Sequence, residues 1–149
     1  MGIKKSSDII KYLMDDKFEY AGNTYKLKSL KYFCYNNNRV EELEFLDTSE
    51  CTDFSNMFKK CDKITLVPTF DTSNCTDFSY MFEGCNALTS VSQLNTSNST
   101  NFSYMFNGCS SLTSIPELDT SNSTNFSYMF SDCSSLTSIP ELDTSNSTN

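Results

Sequence analysis

The stretch Asn95–Leu118, NTSNSTNFSYMFNGCSSLTSIPEL, decides the fold of this chain. The next 24 residues, Asp119–Leu142, repeat it with only three substitutions, at the positions of Asn95, Asn107 and Gly108. Self-similarity at a fixed period of 20 to 50 residues is typical of repeat arrays. In such arrays each unit contacts its neighbours, and one unit alone does not bury its apolar face. The sequence therefore predicts a stack of equivalent units.

The period divides the whole chain. Residues 47–149 are predicted to hold tandem repeats, at 47–70, 71–94, 95–118 and 119–142, with the start of a fifth at 143–149. Residues 23–46 keep the apolar register in degenerate form. Together, residues 1–46 are predicted to be an N-terminal cap, with a helix from Ser7 to about Asp16 and a hairpin around Gly22. Because arrays need caps, the uncapped fifth repeat predicts either a longer array or a partner that covers this end.

Apolar spacing within one unit predicts a helix. Four residues stand at i, i+3, i+4 and i+7: Phe102, Met105, Phe106 and Cys109. That spacing is one face of an α-helix, here about two turns long because Gly108 is a poor helix former. Residues 112–115 predict a short strand, and residues 119–122 predict a turn. We therefore predict an α/β repeat solenoid, with a short helix and a short parallel strand in each 24-residue unit.

The repeated pattern resembles a known family. It is D-T-S-N-x-T-[DN]-F-S-Y-M-F-x-x-C-x-x-L-T-S-[IV]-P-x-L, and it covers about Asn23–Asn149. It is similar to the BspA-like leucine-rich repeats of surface proteins from host-associated bacteria and some protists. The resemblance implies a leucine-rich-repeat solenoid, a role in adhesion or ligand binding, no active site, and a place at the cell surface. No secretion signal is visible, so a phage virion and the cytoplasm stay open as locations.

Composition excludes several classes of function. The net charge is −8, and residues 47–149 hold three basic against twelve acidic side chains, which predicts no binding to nucleic acid. No run of 18 apolar residues occurs, so no transmembrane segment is predicted. The chain has no histidine and only four glycines, which removes the common triads and phosphate loops. We predict that the protein is not an enzyme and needs no cofactor.

Cysteines recur once per repeat, and they are the strongest candidates for chemistry: Cys61, Cys85, Cys109 and Cys133. A linear ladder does not converge on one point, as a zinc site requires. Buried free thiols are the favoured interpretation, with disulfides between neighbours as the alternative. Asp71, Asp119 and Asp143 have the oxygen ligands that calcium prefers, but turn-forming hydrogen bonds explain them more simply. We therefore predict no metal site.

Two rows of side chains are predicted to contact a partner. The first row has one tyrosine in each of three units, placed two residues after an inward Phe: Tyr80, Tyr104 and Tyr128. These rings are either anchors for a glycan or protein, or a stack that covers itself. The second row lies on the predicted strand face, the binding surface that the resemblance implies. It consists of Thr89, Thr113 and Thr137, with Glu117 and Glu141 at its edge. The alternative for this row is a solvated polar face.

The function predicted from these observations is a non-enzymatic binding or adhesion module that recognises protein or glycan through its repeat surface. The alternative is a structural component of a larger assembly, such as a phage virion or fibre protein, whose partners are neighbouring subunits. A third interpretation, a lipid-anchored cytosolic effector, rests on the match of Met1–Ser6 to the myristoylation pattern.

Overall fold

The computed structural model describes residues 25–26, 28–36 and 46–149, and it shows successive turns of chain lying on one another. Two strands, β1 (Tyr25–Lys26) and β2 (Leu46–Asp47), pair in parallel, with Tyr25 opposite Leu46. Isolated parallel bridges then join residues 24 positions apart: Ser29 with Asp53, Asp53 with Asp77, Asp77 with Asn101, and Asn101 with Asn125. Each 24-residue coil therefore stacks on the previous one in register.

The predicted α/β architecture is wrong. The described residues contain no helix, and their only strands are the two-residue β1 and β2. A leucine-rich-repeat solenoid, with its helix and strand in each unit, is excluded on the same ground. The predicted cap helix, from Ser7 to about Asp16, and the residues around Gly22 lie outside the described residues. In the part of the chain that the structure describes, no helix is long and apolar enough to cross a bilayer.

The predicted helix over residues 102–109 is a chain of tight turns. Amide groups at alternate positions donate to the next coil, at 2.8–3.0 Å: Phe102, Tyr104, Phe106 and Gly108 bond to the carbonyls of Asn125, Ser127, Met129 and Ser131. The intervening amides of Met105, Asn107 and Cys109 donate three residues back within their own coil. The amide of Ser103 donates to the Asn101 side chain, at 3.1 Å. Every N–H of the segment is thus satisfied without a helix.

Backbone conformation explains why a helix does not form. Tyr104 has φ of 57° and Gly108 has φ of 74°, and both values lie in the left-handed region. A right-handed helix does not accommodate such residues. A two-turn helix would also be unstable alone, because its nucleation is unfavourable and it gains few hydrogen bonds. Bonding to the neighbouring coil satisfies the same amides and brings the apolar faces together.

The predicted strand at residues 112–115 is also absent. In this stretch only the Thr113 amide bonds to the previous coil, at 3.1 Å from the Thr89 carbonyl. The Leu112 amide bonds back to Cys109 within its own coil. One inter-coil hydrogen bond does not make a strand ladder.

The core consists of the residues that the periodicity placed inward. Phe102, Met105, Phe106 and Cys109 have no exposed surface. Phenylalanine rings stack between coils, with centroids 5.8 Å apart for Phe78 and Phe102, and 5.5 Å apart for Phe82 and Phe106. The apolar spacing therefore marks an inward face, as predicted, although the backbone there is not helical.

Side chains add further bonds between coils. The Thr72 hydroxyl donates to the Asn95 carbonyl, at 2.9 Å, and its copies Thr48, Thr96 and Thr120 do the same one coil apart. The buried Ser99 hydroxyl donates to the Cys75 carbonyl, at 3.0 Å. Since these donors sit at fixed repeat positions, the register of 24 is held by side chains as well as by the backbone.

Candidate functional site

Three tyrosines form a continuous stack on the outside of the coils. The ring centroids of Tyr80 and Tyr104 are 4.7 Å apart, and those of Tyr104 and Tyr128 are 4.8 Å apart. The ring planes are nearly parallel, at 7° and 19°. Tyr80 and Tyr104 are half-buried, whereas Tyr128 is 63% exposed. We call this group the Tyr row.

All three members of the Tyr row adopt left-handed backbone conformations, with φ between 56° and 59°. One coil earlier Asn56 holds the same position with φ of 59°, and one coil before that Tyr32 does so with the same φ. The repeat pattern does not single out Tyr32, because its repeat is degenerate. Its position 24 residues before Asn56 is the signal that would have revealed it.

A lysine covers one end of the Tyr row. The Lys59 Nζ lies 4.3 Å from the centroid of the Tyr80 ring, a cation–π distance. The same ammonium pairs with the Glu83 carboxylate, at 2.5 Å. Desolvation, followed by the neighbouring Tyr128 and Tyr80, raises the pKa of Tyr104. The Tyr104 hydroxyl is therefore protonated at neutral pH and is available as a hydrogen-bond donor.

The predicted threonine row is exposed but bonded to itself. The Thr113 hydroxyl donates to the Thr89 carbonyl, at 3.1 Å, and the Thr89 hydroxyl donates to Thr65, at 3.4 Å. Thr137 and the acids Glu117 and Glu141 are exposed as well. The Tyr row and the threonine row occupy different stretches of each coil, one before and one after the buried cysteine. The two rows therefore come from different parts of the repeat unit.

Burial makes the cysteines poor nucleophiles. The Cys109 thiol donates to the Phe82 carbonyl, at 3.1 Å, and Cys85 bonds in the same way to Phe58. Burial first, then the neighbouring Cys133, raises the pKa of Cys109 to about 12. A thiol at such a pKa is scarcely ionised at neutral pH, and the thiolate is the reactive form. Cys109 is a free thiol in the structure.

The aspartate side chains of the turns accept hydrogen bonds from a serine of the same turn. The Asp119 Oδ1 accepts the Ser121 amide at 3.1 Å and the Ser121 hydroxyl at 2.7 Å. Asn95 accepts from Ser97 in the same way, which shows that the turn does not need a charge. Across the residues that the structure describes, no group of three or more acidic or cysteine side chains is placed to hold a metal ion.

Comparison with known proteins corrects the expected relationship. No curated protein and no solved structure matches this sequence. The resemblance to BspA-like leucine-rich-repeat proteins is wrong, because the unit lacks the implied helix and strand and because a different family model matches. That model covers residues 25–141, more than three quarters of the chain. The chain therefore belongs to the family described as Mycoplasma protein of unknown function, DUF285.

Proposed function

We propose that this chain is a non-enzymatic binding module that recognises its partner through the Tyr row. One observation carries the proposal: three bulky side chains occupy left-handed backbone positions on a partly exposed surface. Such a conformation is a genuine outlier for a bulky residue. It is unfavourable by about 1–2 kcal/mol per residue for most L-amino acids.

The backbone does not require tyrosine at these positions. Asn56 adopts the same φ one coil earlier, and asparagine is one of the few residues that tolerates it. Strained residues of this kind concentrate at functional sites. Tyrosine is also enriched at protein interfaces, where it combines a large contact area with a hydroxyl. The side chain, rather than the turn, therefore explains why tyrosine occupies the row.

The arrangement of the rings favours a protein partner over a glycan. Tyr104 has a stacked ring on each side, at 4.7 and 4.8 Å, so both of its faces are already in contact. Sugars pack their C–H groups on the electron-rich face of a ring, and the rim carries the opposite charge. What Tyr104 offers to a partner is its rim and its hydroxyl, which suit carbonyl and carboxylate acceptors of a protein.

A triple variant tests the proposal. Replacing Tyr80, Tyr104 and Tyr128 by asparagine keeps a residue that the fold already accepts at Asn56, while it removes the aromatic rims. We expect wild-type chain to bind proteins on a protein array and the triple variant to lose at least tenfold in affinity. Tyr32→Asn, which lies outside the row, is the matched control and should bind as wild type does. Failure of the wild type to bind any arrayed protein, or equal binding by the triple variant, would refute the proposal.

The coil-to-coil hydrogen bonds favour a second candidate, a structural component of a larger assembly. Backbone and side-chain bonds recur at each coil in the same positions, which is suited to a rigid building element. Sedimentation velocity over a hundredfold range of concentration tests this candidate. Concentration-dependent growth of large species supports it, and a constant sedimentation coefficient counts against it.

A further inference from the structure

A second lateral surface consists of two exposed rows that flank a buried one. The rows repeat from the coil that begins at Asp71 onward, with asparagine in the first and threonine in the second. We call them together the Asn–Thr face, and its members are Asn74, Asn98, Asn122 and Asn146 with Thr76, Thr100, Thr124 and Thr148. Between the two rows lie the buried Cys75, Ser99 and Ser123.

The donors of the Asn–Thr face point into the stack. The Asn98 Nδ2 donates to the Ser73 carbonyl, at 2.7 Å, and the Asn122 Nδ2 donates to Ser97, at 2.8 Å. The Thr100 hydroxyl donates to the Thr76 carbonyl, at 3.3 Å. These bonds hold the side chains in one orientation and leave Asn Oδ1 and the threonine lone pairs as acceptors. A surface fixed in this way loses little conformational entropy when it binds.

Charge selects the kind of donor that fits. From Ile64 to Asn149 the chain has no lysine or arginine, and it has eight acidic residues. Asp77 directly follows Thr76, at the margin of the face, and its Oδ1 accepts the Ser79 amide, at 2.8 Å. Among the described residues no basic side chain pairs with Asp77. A field of this sign attracts cations.

The first described coil holds an internal precedent. There the Lys31 Nζ lies 3.9 Å from the Asp53 Oδ2, and Asp53 is the residue equivalent to Asp77. Lysine therefore approaches this margin of the stack in the molecule itself. Serine occupies the position of Lys31 in the next coils, at Ser55 and Ser79, so an intramolecular cation is missing from those positions.

We propose that the Asn–Thr face binds an extended polypeptide segment that carries lysine or arginine. The ammonium and guanidinium groups donate hydrogen bonds to the asparagine and threonine oxygens, and the net negative charge of residues 64–149 adds a long-range attraction. The Asn–Thr face and the Tyr row share no residue, so the inference does not depend on the function proposed above.

A charge-placement experiment tests it. A fluorescein-labelled nonapeptide of alternating arginine and serine is titrated with the chain, and binding is followed by fluorescence anisotropy at 50 mM and 150 mM salt. Asn98→Lys with Asn122→Lys puts two positive charges on the face, and Ser114→Lys with Ser138→Lys puts the same two charges on another exposed surface. We expect the first pair to weaken binding at least tenfold, and the control pair to change it less than threefold.

A second pair, Thr100→Lys with Thr124→Lys, charges the neighbouring row of the same face and should reproduce the loss. Far-UV circular dichroism and a urea midpoint establish that each variant is folded. The proposal is overturned if the wild type does not bind the peptide, or if both charged faces weaken binding equally, which would mean attraction by net charge alone. Binding of neutral maltoheptaose in place of the peptide, with the same dependence on Asn98 and Asn122, would also overturn it and assign the face to a glycan.

Discussion

Substitutions of Tyr104 distinguish the left-handed turn of the structure from the helix that the sequence pattern predicts. In the structure Tyr104 has φ of 57° and stacks on one ring at each side. Alanine at this position loses both stacks and keeps the unfavourable backbone. Asparagine also loses both stacks, but it tolerates the left-handed conformation, as Asn56 does at φ of 59°.

The magnitude follows from these two effects. Each aromatic pair contributes roughly 0.5–1.5 kcal/mol, so loss of two pairs destabilises either variant by about 1–3 kcal/mol. Asparagine recovers about 1 kcal/mol of the backbone strain that alanine retains. We therefore expect Tyr104→Asn to be more stable than Tyr104→Ala by about 1 kcal/mol. If residue 104 were in a helix, the alanine variant would be the more stable one, because the helix propensity of alanine exceeds that of asparagine by up to about 0.7 kcal/mol.

Urea unfolding of the two variants, followed by far-UV circular dichroism and tyrosine fluorescence, gives the comparison. A difference of about 1 kcal/mol corresponds to roughly 2–4 °C in Tm for a chain of this size. Equal slopes of the unfolding curves are needed for the two free energies to be compared. An alanine variant that is as stable as the asparagine variant, or more stable, would refute the left-handed turn at this position.

Three further predictions concern the core, the thiols and the turns. Phe106→Ala should lower the free energy of unfolding by about 3–5 kcal/mol, because the ring is fully buried between two others, and a loss below about 1 kcal/mol in urea unfolding would contradict the packing. Cys109 should react with iodoacetamide at pH 8 far more slowly than in 6 M urea, since burial raises its pKa to about 12; equal rates by mass spectrometry would contradict its burial. The hydroxyl and amide of Ser121 lower the pKa of Asp119, so its contribution to stability is complete above the unfolded pKa and is lost as pH falls through the folded value. Asp119→Asn, which copies the uncharged turn at Asn95, should therefore unfold less steeply with acid below about pH 4 than wild type does, and identical pH profiles would contradict this contribution.

The sequence predicted which residues are inside, but not the path of the backbone between them. Spacing at i, i+3, i+4 and i+7 is expected for a helix face, and Phe102, Phe106 and Cys109 are indeed buried. The same spacing arises here from successive tight turns, in which every second residue turns its amide to the next coil. Contacts between residues 24 positions apart decide between the two geometries. The local spacing of apolar residues carries no information about those contacts.

A local signal for the turns was nevertheless present. The position of Gly108 holds Gly84 one coil earlier and Asp132 one coil later, and all three residues have positive φ. Glycine and aspartate are among the residues that adopt this conformation most readily. A Cβ on Gly108 would approach the Gly84 Cα at 3.6 Å, an ordinary contact, so conformation rather than space explains glycine there. When the repeats are aligned, the residue types at this position indicate a left-handed backbone conformation.

The candidate site was predictable in part for the same reason. The outward position of Tyr104 followed from its place two residues after an inward Phe, and the ring is half-buried on the outside of the stack. The ring-on-ring contacts that occupy both of its faces depend on the spacing between coils. That spacing is a tertiary property, and it decides which part of the ring a partner meets. The threonine row remains a prediction as a binding surface.

The register between coils is tested most directly by nuclear Overhauser effects in isotopically labelled chain. We predict contacts between the amide proton of Phe82 and the Hα of Met105, whose carbonyl accepts a hydrogen bond from that amide at 2.9 Å, with equivalent contacts for Phe106 and Met129. Contacts from residue i to residue i+4 across residues 102–109, without any contact between residues 23 or 24 apart, would contradict the stacked coils. Such a result would instead support a helix in this segment.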